Sequence, residues 1–304
     1  MLRSGAVISH NKNPLIYYSQ VINLINKLDE KESITLHLSN VSYNHKNTNF
    51  GVKHVTIKAT SGEMVGVIGG SGAGKTTLLN IINGNLKPKD GDISLNGISY
   101  NNKPREIQNL IGFVPQDDSL NEKLTVFENL YVTAKLTLGN NPNIPTLVDN
   151  KLVEYGLFHI KNLQVGTALN RNISGGQRKR LNIVSEIIRE PKLLLVDEPT
   201  SGLSSSDSYR VMMLLKDQSL LGKLVIINIH QPSSEIYRLF DKVLVLDQGG
   251  YLAFYGNPIE AIEYFKVNAQ KLDSYAVECL SCGTLKPDDI FDGAQFYIER
   301  WIDD

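Results

Sequence analysis

The sequence predicts an α/β fold: a core with a mixed sheet, an antiparallel edge subdomain and an inserted helical lobe. Three observations predict it. Short apolar runs without alternation at Met64 to Ile68, Leu193 to Val196 and Leu224 to Ile229 suit parallel strands buried on both faces. Alternation at Ile34, Leu36 and Leu38, followed by the run Val52 to Ala59, suits antiparallel strands ahead of the first of those runs. From about Leu124 to Leu169 the apolar spacing becomes helical, through Val126, Phe127, Leu130, Tyr131 and Ala134.

Composition narrows the function classes. At 304 residues the chain can bury a large core, as one α/β domain or two lobes. A formal net charge of −1, with Lys interleaved among Glu and Asp, provides neither a basic field for nucleic acid nor a polybasic membrane anchor. No nucleic-acid partner is expected. The two cysteines, Cys279 and Cys282, are too few and too close for a disulfide framework, so a reducing compartment is expected. Their spacing suits half a zinc site, but no second Cys/His pair lies close in sequence, and reduced thiols without zinc are expected. No apolar run approaches the roughly 20 residues a bilayer span needs, and the N-terminus has no basic-then-apolar leader. The chain is expected to be soluble by itself. Gln295 to Ile302 reads as a helix cut short, which suggests an excised domain.

In chain order, Leu15 to Leu28 has near-helical apolar spacing and predicts an amphipathic helix before the main domain. The two alternating strands follow, then the Met64 to Ile68 strand, a glycine-rich turn and a helix over Thr77 to Ile82. Residues 87–92 form a turn, Ile93 to Leu95 a strand, Asn96-Gly97 a hairpin signal and Ile111 to Val114 another strand. A polar stretch from Gly139 to Pro145 predicts a loop within the helical lobe. Near the end, Val243 to Leu246, a Gln248-Gly249-Gly250 turn and Tyr251 to Tyr255 read as a hairpin, with a Pro-started helix from Pro258.

The glycine-rich turn carries the sharpest chemical signal. Gly69, Gly74, Lys75 and Thr76 satisfy GxxxxGK[ST] between a buried strand and a helix, the frame of a P-loop NTPase core. Glycine backbone N–H groups converge on phosphate oxygens, and the helix N-terminus adds partial positive charge. Lys75 neutralises phosphate, and the Thr76 hydroxyl faces Mg²⁺. The cradle runs through Gly69, Gly70, Ser71, Gly72, Ala73, Gly74, Lys75, Thr76 and Thr77. Farther on, the strand Leu193 to Val196 ends in Asp197-Glu198, which places two carboxylates at the carboxyl edge of a parallel sheet. Asp197 is expected to hold Mg²⁺ and Glu198 to orient or deprotonate the attacking water.

With Ile173-Ser174-Gly175-Gly176-Gln177 and His230, these motifs resemble the nucleotide-binding domain of the ABC transporter superfamily over roughly Ile34 to Phe265. Gly175-Gly176-Gln177-Arg178-Lys179-Arg180 and the segment from His230 to Tyr237, with Leu239-Phe240-Asp241, resemble its G subfamily. The resemblance implies an ATPase that uses ATP and Mg²⁺, with residues 117–190 as the signature lobe of a domain over 34–268. Residues 1–33 form an extension before it, and 269–304 a linker toward a membrane domain. It implies that Gln116 belongs to the Q-loop and touches the Mg²⁺ site beside Thr76 and Asp197, and that His230 contacts the γ-phosphate or the Glu198 site. Catalysis falls to Glu198, His230, Gln116 and Lys75. Ser174, Gly175, Gly176 and Gln177 would bind the γ-phosphate of ATP held by a second copy in a head-to-tail dimer; locally, Ser174 also reads as a helix N-cap. The other implied partner is a transmembrane permease domain in the same longer chain, which puts this domain at the cytoplasmic face of a membrane. Arg178, Lys179 and Arg180 read as a solvated helix face without a ligand.

Two departures from the family pattern stand out. The usual adenine-stacking aromatic aligns with His45, with Tyr43 and Phe50 nearby. The D-loop reads Ser201-Gly202-Leu203-Ser204, without the usual final carboxylate, so altered coupling between sites is expected. Other classes remain: a non-transport ABC ATPase, for which tandem modules or zinc insertions are missing, and a silent regulatory domain, against which Lys75, Asp197, Glu198 and His230 argue. A P-loop GTPase lacks its NKxD stretch.

Overall fold

The computed structural model describes residues 33–45, 50–100, 107–167 and 172–267, preceded by two short strands, β1 (Val7–Ile8) and β2 (Ile16–Tyr17). β1 and β2 pair antiparallel. The stretch expected as a helix from Leu15 therefore begins extended, since β-branched and aromatic neighbours favour a paired strand. Its remainder to Leu28 lies outside the described residues, as do Cys279, Cys282 and residues 295–302.

β3 (Thr35–Asn44) and β4 (Gly51–Thr60) pair antiparallel, as the alternation predicts. β5 (Met64–Gly69) is buried along its whole length and leads into α1 (Lys75–Ile82). β6 (Asp90–Leu95) and β7 (Ile98–Ser99) form the Asn96-Gly97 hairpin, whose two turn residues both have positive φ, 51° and 76°. β8 (Ile111–Val114) precedes the helical lobe of α2 (Val126–Leu138), α3 (Ile144–Glu154) and α4 (Gly175–Ile187). The loop expected to reach Pro145 ends earlier: Pro145 sits in the first turn of α3, where a missing N–H costs nothing. β9 (Leu193–Asp197), α5 (Ser205–Leu220), β10 (Leu224–Asn228), α6 (Ser234–Tyr237), β11 (Lys242–Leu246) and β12 (Leu252–Gly256) complete the core, with a last helix over residues 258–267.

The main sheet runs β12-β11-β5-β10-β9-β8, parallel except for β12; a second sheet runs β4-β3-β6-β7. Its central strands feed two cores. Met64, Ile68, Leu194, Val196, Val225 and Ile227 pack toward the helical lobe, while their neighbours Val65, Val67, Leu193, Leu195, Leu224 and Ile226 pack against α1 and the antiparallel sheet. Both faces are covered, so these strands read as apolar runs without alternation. Every parallel strand also ends at one edge of the sheet, where the chemical motifs meet.

Candidate nucleotide site

The loop after β5 closes on a position that admits no side chain. Gly74, which precedes α1, has φ 93°, and a Cβ there would lie 2.5 Å from the Gly51 carbonyl oxygen. Gly70 and Gly72 face open space. Lys75, only 6% exposed, turns back over the loop, its Nζ donating to the carbonyls of Gly69 and Gly70 at 2.9 Å each. Burial pulls its pKa below the usual lysine range, against the opposing fields of Glu198 and Asp197.

The next residue meets the carboxylate of β9. Thr76 Oγ1 donates to Asp197 Oδ1 at 3.4 Å, and Asn228 on β10 donates from Nδ2 to Thr76 Oγ1 at 3.2 Å and to Asp197 Oδ1. Asp197 is 4% exposed and Asn228 fully buried. Glu198, just past the strand, adopts a left-handed φ of 42°, with its N–H donating to the Asn228 carbonyl at 2.9 Å. Gln116, beyond β8, donates from Nε2 to Glu198 Oε2 at 3.0 Å.

His230 lies two residues past the end of β10, where Asn228 makes the last ladder pair. With Glu198, Ser201, Leu203, Ser233 and Ile236 it lines a cavity of about 430 Å³. The D-loop's Ser204 caps α5, accepting from the Asp207 N–H and donating to Asp207 Oδ2, both at 3.2 Å. A carboxylate thus stands three residues beyond the position where the sequence lacks one.

Ser174 and Gln177 form a reciprocal capping box at the start of α4, Gln177 N–H to Ser174 Oγ at 3.1 Å and Ser174 N–H to Gln177 Oε1 at 2.8 Å. A Cβ on Gly176 would lie 2.5 Å from Asp207 Cγ. The basic residues that follow are not a solvated face. Arg178 forms an ion pair with Asp118 at 2.5 Å and donates to the Gly166 carbonyl at 2.8 Å. Lys179 Nζ donates to the carbonyls of Pro115 and Gln116 at 3.1 and 3.0 Å, and Arg180 to that of Tyr155 at 3.0 Å. Helix periodicity could not reveal these partners, which come from segments far away in sequence.

Near the start of α1, the His45 ring and Thr77 Oγ1 share a hydrogen bond of 3.1 Å, and Tyr43 meets His45 edge-on at 5.2 Å. Phe50 is 65% exposed. Asn228 is the site residue that sequence reading missed; its signal is a lone amide closing the apolar run Leu224 to Ile227.

A glycine cradle, a buried lysine and hard oxygen donors from Thr76 and Asp197 suit a nucleotide polyphosphate with Mg²⁺. Fold and site define a P-loop nucleotide-binding protein. Residues 52–201 match the family model described as ABC transporter. The chain is 38% identical over 275 residues to ABC transporter G family member 28 of Arabidopsis thaliana, covering 86% of this chain and 24% of that protein. It is 41% identical over 215 residues to G family member 14 of the same plant (69% of this chain, 33% of the relative). With G family member 25 of Oryza sativa subsp. japonica the identity is 40% over 216 residues (69% and 21%). The matched segment is thus an ABC transporter ATP-binding domain, with G-family members among its relatives. The family is one of ATPases. The matches span a third or less of these relatives' length. Among the described residues no helix is long and apolar enough to cross a membrane.

Proposed function

We propose that this domain binds ATP with Mg²⁺, closes on a second copy head to tail, hydrolyses the γ-phosphate and so drives a substrate across a membrane. The observation that carries this reading is the convergence of Lys75, Thr76, Asp197, Glu198 and Gln116 at one sheet edge. The cradle from Gly69 to Thr77 holds the phosphates, and Lys75 exchanges its bonds to loop carbonyls for phosphate oxygens. Thr76, Asp197 and Gln116 hold Mg²⁺, which supplies charge neutralisation on the β- and γ-phosphates when bound. Glu198 orients water and accepts its proton as the water oxygen attacks the γ-phosphorus, while ADP departs with the bridging oxygen. His230, which lines the same cavity as Glu198, contacts the γ-phosphate.

The signature residues Ser174, Gly175, Gly176 and Gln177 belong to the other lobe. We read them as completing the site of a second copy, with backbone N–H groups at the N-terminus of α4 facing its γ-phosphate. Residues 34–268 form the domain in this reading, and a permease domain in the same longer chain is its membrane partner at the cytoplasmic face.

The test is sedimentation of Glu198→Gln with ATP and Mg²⁺. A dimer that Ser174→Arg abolishes is expected, and a persistent monomer at saturating ATP would sink the dimer mechanism. For transport, the reading frame past Asp304 should encode apolar spans of roughly 20 residues.

A further inference from the structure

One buried residue at the phosphate site, Asn228, contacts Thr76, Asp197 and Glu198 and has no role in the proposed reaction. Asn228 closes β10, opposite Asp197 on one side and Val67 on the other. Its side-chain amide donates to Thr76 Oγ1 at 3.2 Å and to Asp197 Oδ1, and its carbonyl accepts the Glu198 N–H at 2.9 Å. One residue therefore ties the P-loop helix to the Asp197 carboxylate and to the Glu198 backbone.

The amide's orientation is determined by its partners. Turned over, it would set Oδ1 against the Asp197 carboxylate, two acceptors with no proton between them. In the orientation found, Asn228 Oδ1 has no hydrogen-bond partner among the described residues, although the residue is fully buried. A strand end sheathed in Ile and Val would be better served by an apolar side chain if packing were the only demand. The amide is retained there for its N–H groups.

Their effect follows from lone-pair accounting. The Thr76 hydroxyl donates its proton to Asp197 Oδ1 and accepts from Asn228, which leaves one lone pair. Asp197 Oδ1 receives both neighbours, so Oδ2 is the oxygen left to face a cation or its water. Without the amide, Thr76 could rotate and Asp197 could present either oxygen.

We propose that Asn228 is a positioning residue for the divalent cation, orienting Thr76 and Asp197 so that each presents a defined lone pair to it. The inference rests on the Mg²⁺–ATP reading of the site and deepens it. Groups that orient metal ligands in this way are typically worth 10- to 100-fold in metal affinity.

The test compares Asn228→Val with Asn228→Thr, two side chains of one shape, only one of which retains a donor. Mn²⁺ binding to the chain is titrated by electron paramagnetic resonance in the presence of adenylyl imidodiphosphate. Affinity for the nucleotide alone is measured in EDTA by displacement of a fluorescent nucleotide, and thermal melting in EDTA reports folding. Asn228→Val should weaken Mn²⁺ binding by roughly 10- to 100-fold while leaving metal-free nucleotide affinity unchanged. Asn228→Thr should recover part of that loss. Wild-type Mn²⁺ affinity in Asn228→Val, equal loss in both variants, or a parallel fall in metal-free nucleotide affinity would overturn the proposal. A wild-type chain that takes up no nucleotide would instead overturn the underlying reading, and this inference with it.

Discussion

Gln116 donates its side-chain amide to Glu198 at 3.0 Å, joining the segment after β8 to the strand end of β9 across 82 positions of sequence. A neutral amide at position 198 keeps the shape and loses the base. Glu198→Gln should retain nucleotide while ATP turnover falls by roughly 10²-fold or more. Steady-state phosphate release beside equilibrium nucleotide binding separates the two. Undiminished turnover would remove Glu198 from the mechanism.

Lys75 combines burial with charge. Its pKa is pushed below the usual lysine range by burial first, with Glu198 and Asp197 opposing. Between that depressed value and the ordinary one the unfolded chain binds more protons than the folded chain, so stability rises with pH across that window. Below it, the cost of burying the ammonium is fully present. Lys75→Met should therefore melt, without nucleotide at neutral pH, at or above the wild-type temperature, the gap closing as pH rises through the window. ATP with Mg²⁺ should no longer raise its melting temperature. A nucleotide-free melting temperature well below wild type would mean that the bonds to Gly69 and Gly70 outweigh the burial cost.

Lys179 anchors α4 to the backbone on which Gln116 sits, through the carbonyls of Pro115 and Gln116. Burial lowers its pKa, with Asp197 the first of several carboxylates that oppose the shift. Loss of the anchor should displace Gln116 rather than the phosphate cradle. Lys179→Met is expected to bind ATP like wild type and to lose roughly 10- to 100-fold in kcat, the scale of a small misplacement at a reacting centre. Equal kcat in the two proteins would show that the anchor does not position Gln116.

Gly176 meets Asp207 across the junction of α4 and α5, where a Cβ would lie 2.5 Å from the carboxylate carbon. Gly176→Ala should cost about 1 to 3 kcal/mol in denaturant unfolding, the usual range for overpacking. Asp207→Ala in the same chain should recover part of that cost, since Asp207 Cβ at 2.9 Å remains, and a double-mutant cycle measures the recovery. Additive losses would place the constraint elsewhere.

Much of the architecture is legible in local pattern because local pattern is what burial selects. β5, β9 and β10 face two cores at once and so read as apolar runs without alternation, whereas the half-covered β3 alternates. The P-loop is legible for a related reason: its conformation demands glycines at given spacings, and its chemistry demands the Lys-Thr pair that follows. Asp197 and Glu198 could be placed because a parallel strand ends at the edge where ligands gather.

What only the tertiary structure decided concerns groups whose partners lie far away in sequence. Arg178, Lys179 and Arg180 have the look of a solvated face until Asp118, Gly166, Pro115, Gln116 and Tyr155 are folded against them. Ser204 breaks the family pattern on paper, yet it still caps α5 and holds Asp207. Asn228 looks like the end of a strand, and becomes a hub only because parallel pairing sets it beside Asp197 while α1 brings Thr76 down from above. Sequence determines which residues are buried and which motifs exist, since both follow from neighbours along the chain. Which polar group meets which, and so which lone pair stays open for a cation, is decided by packing between elements.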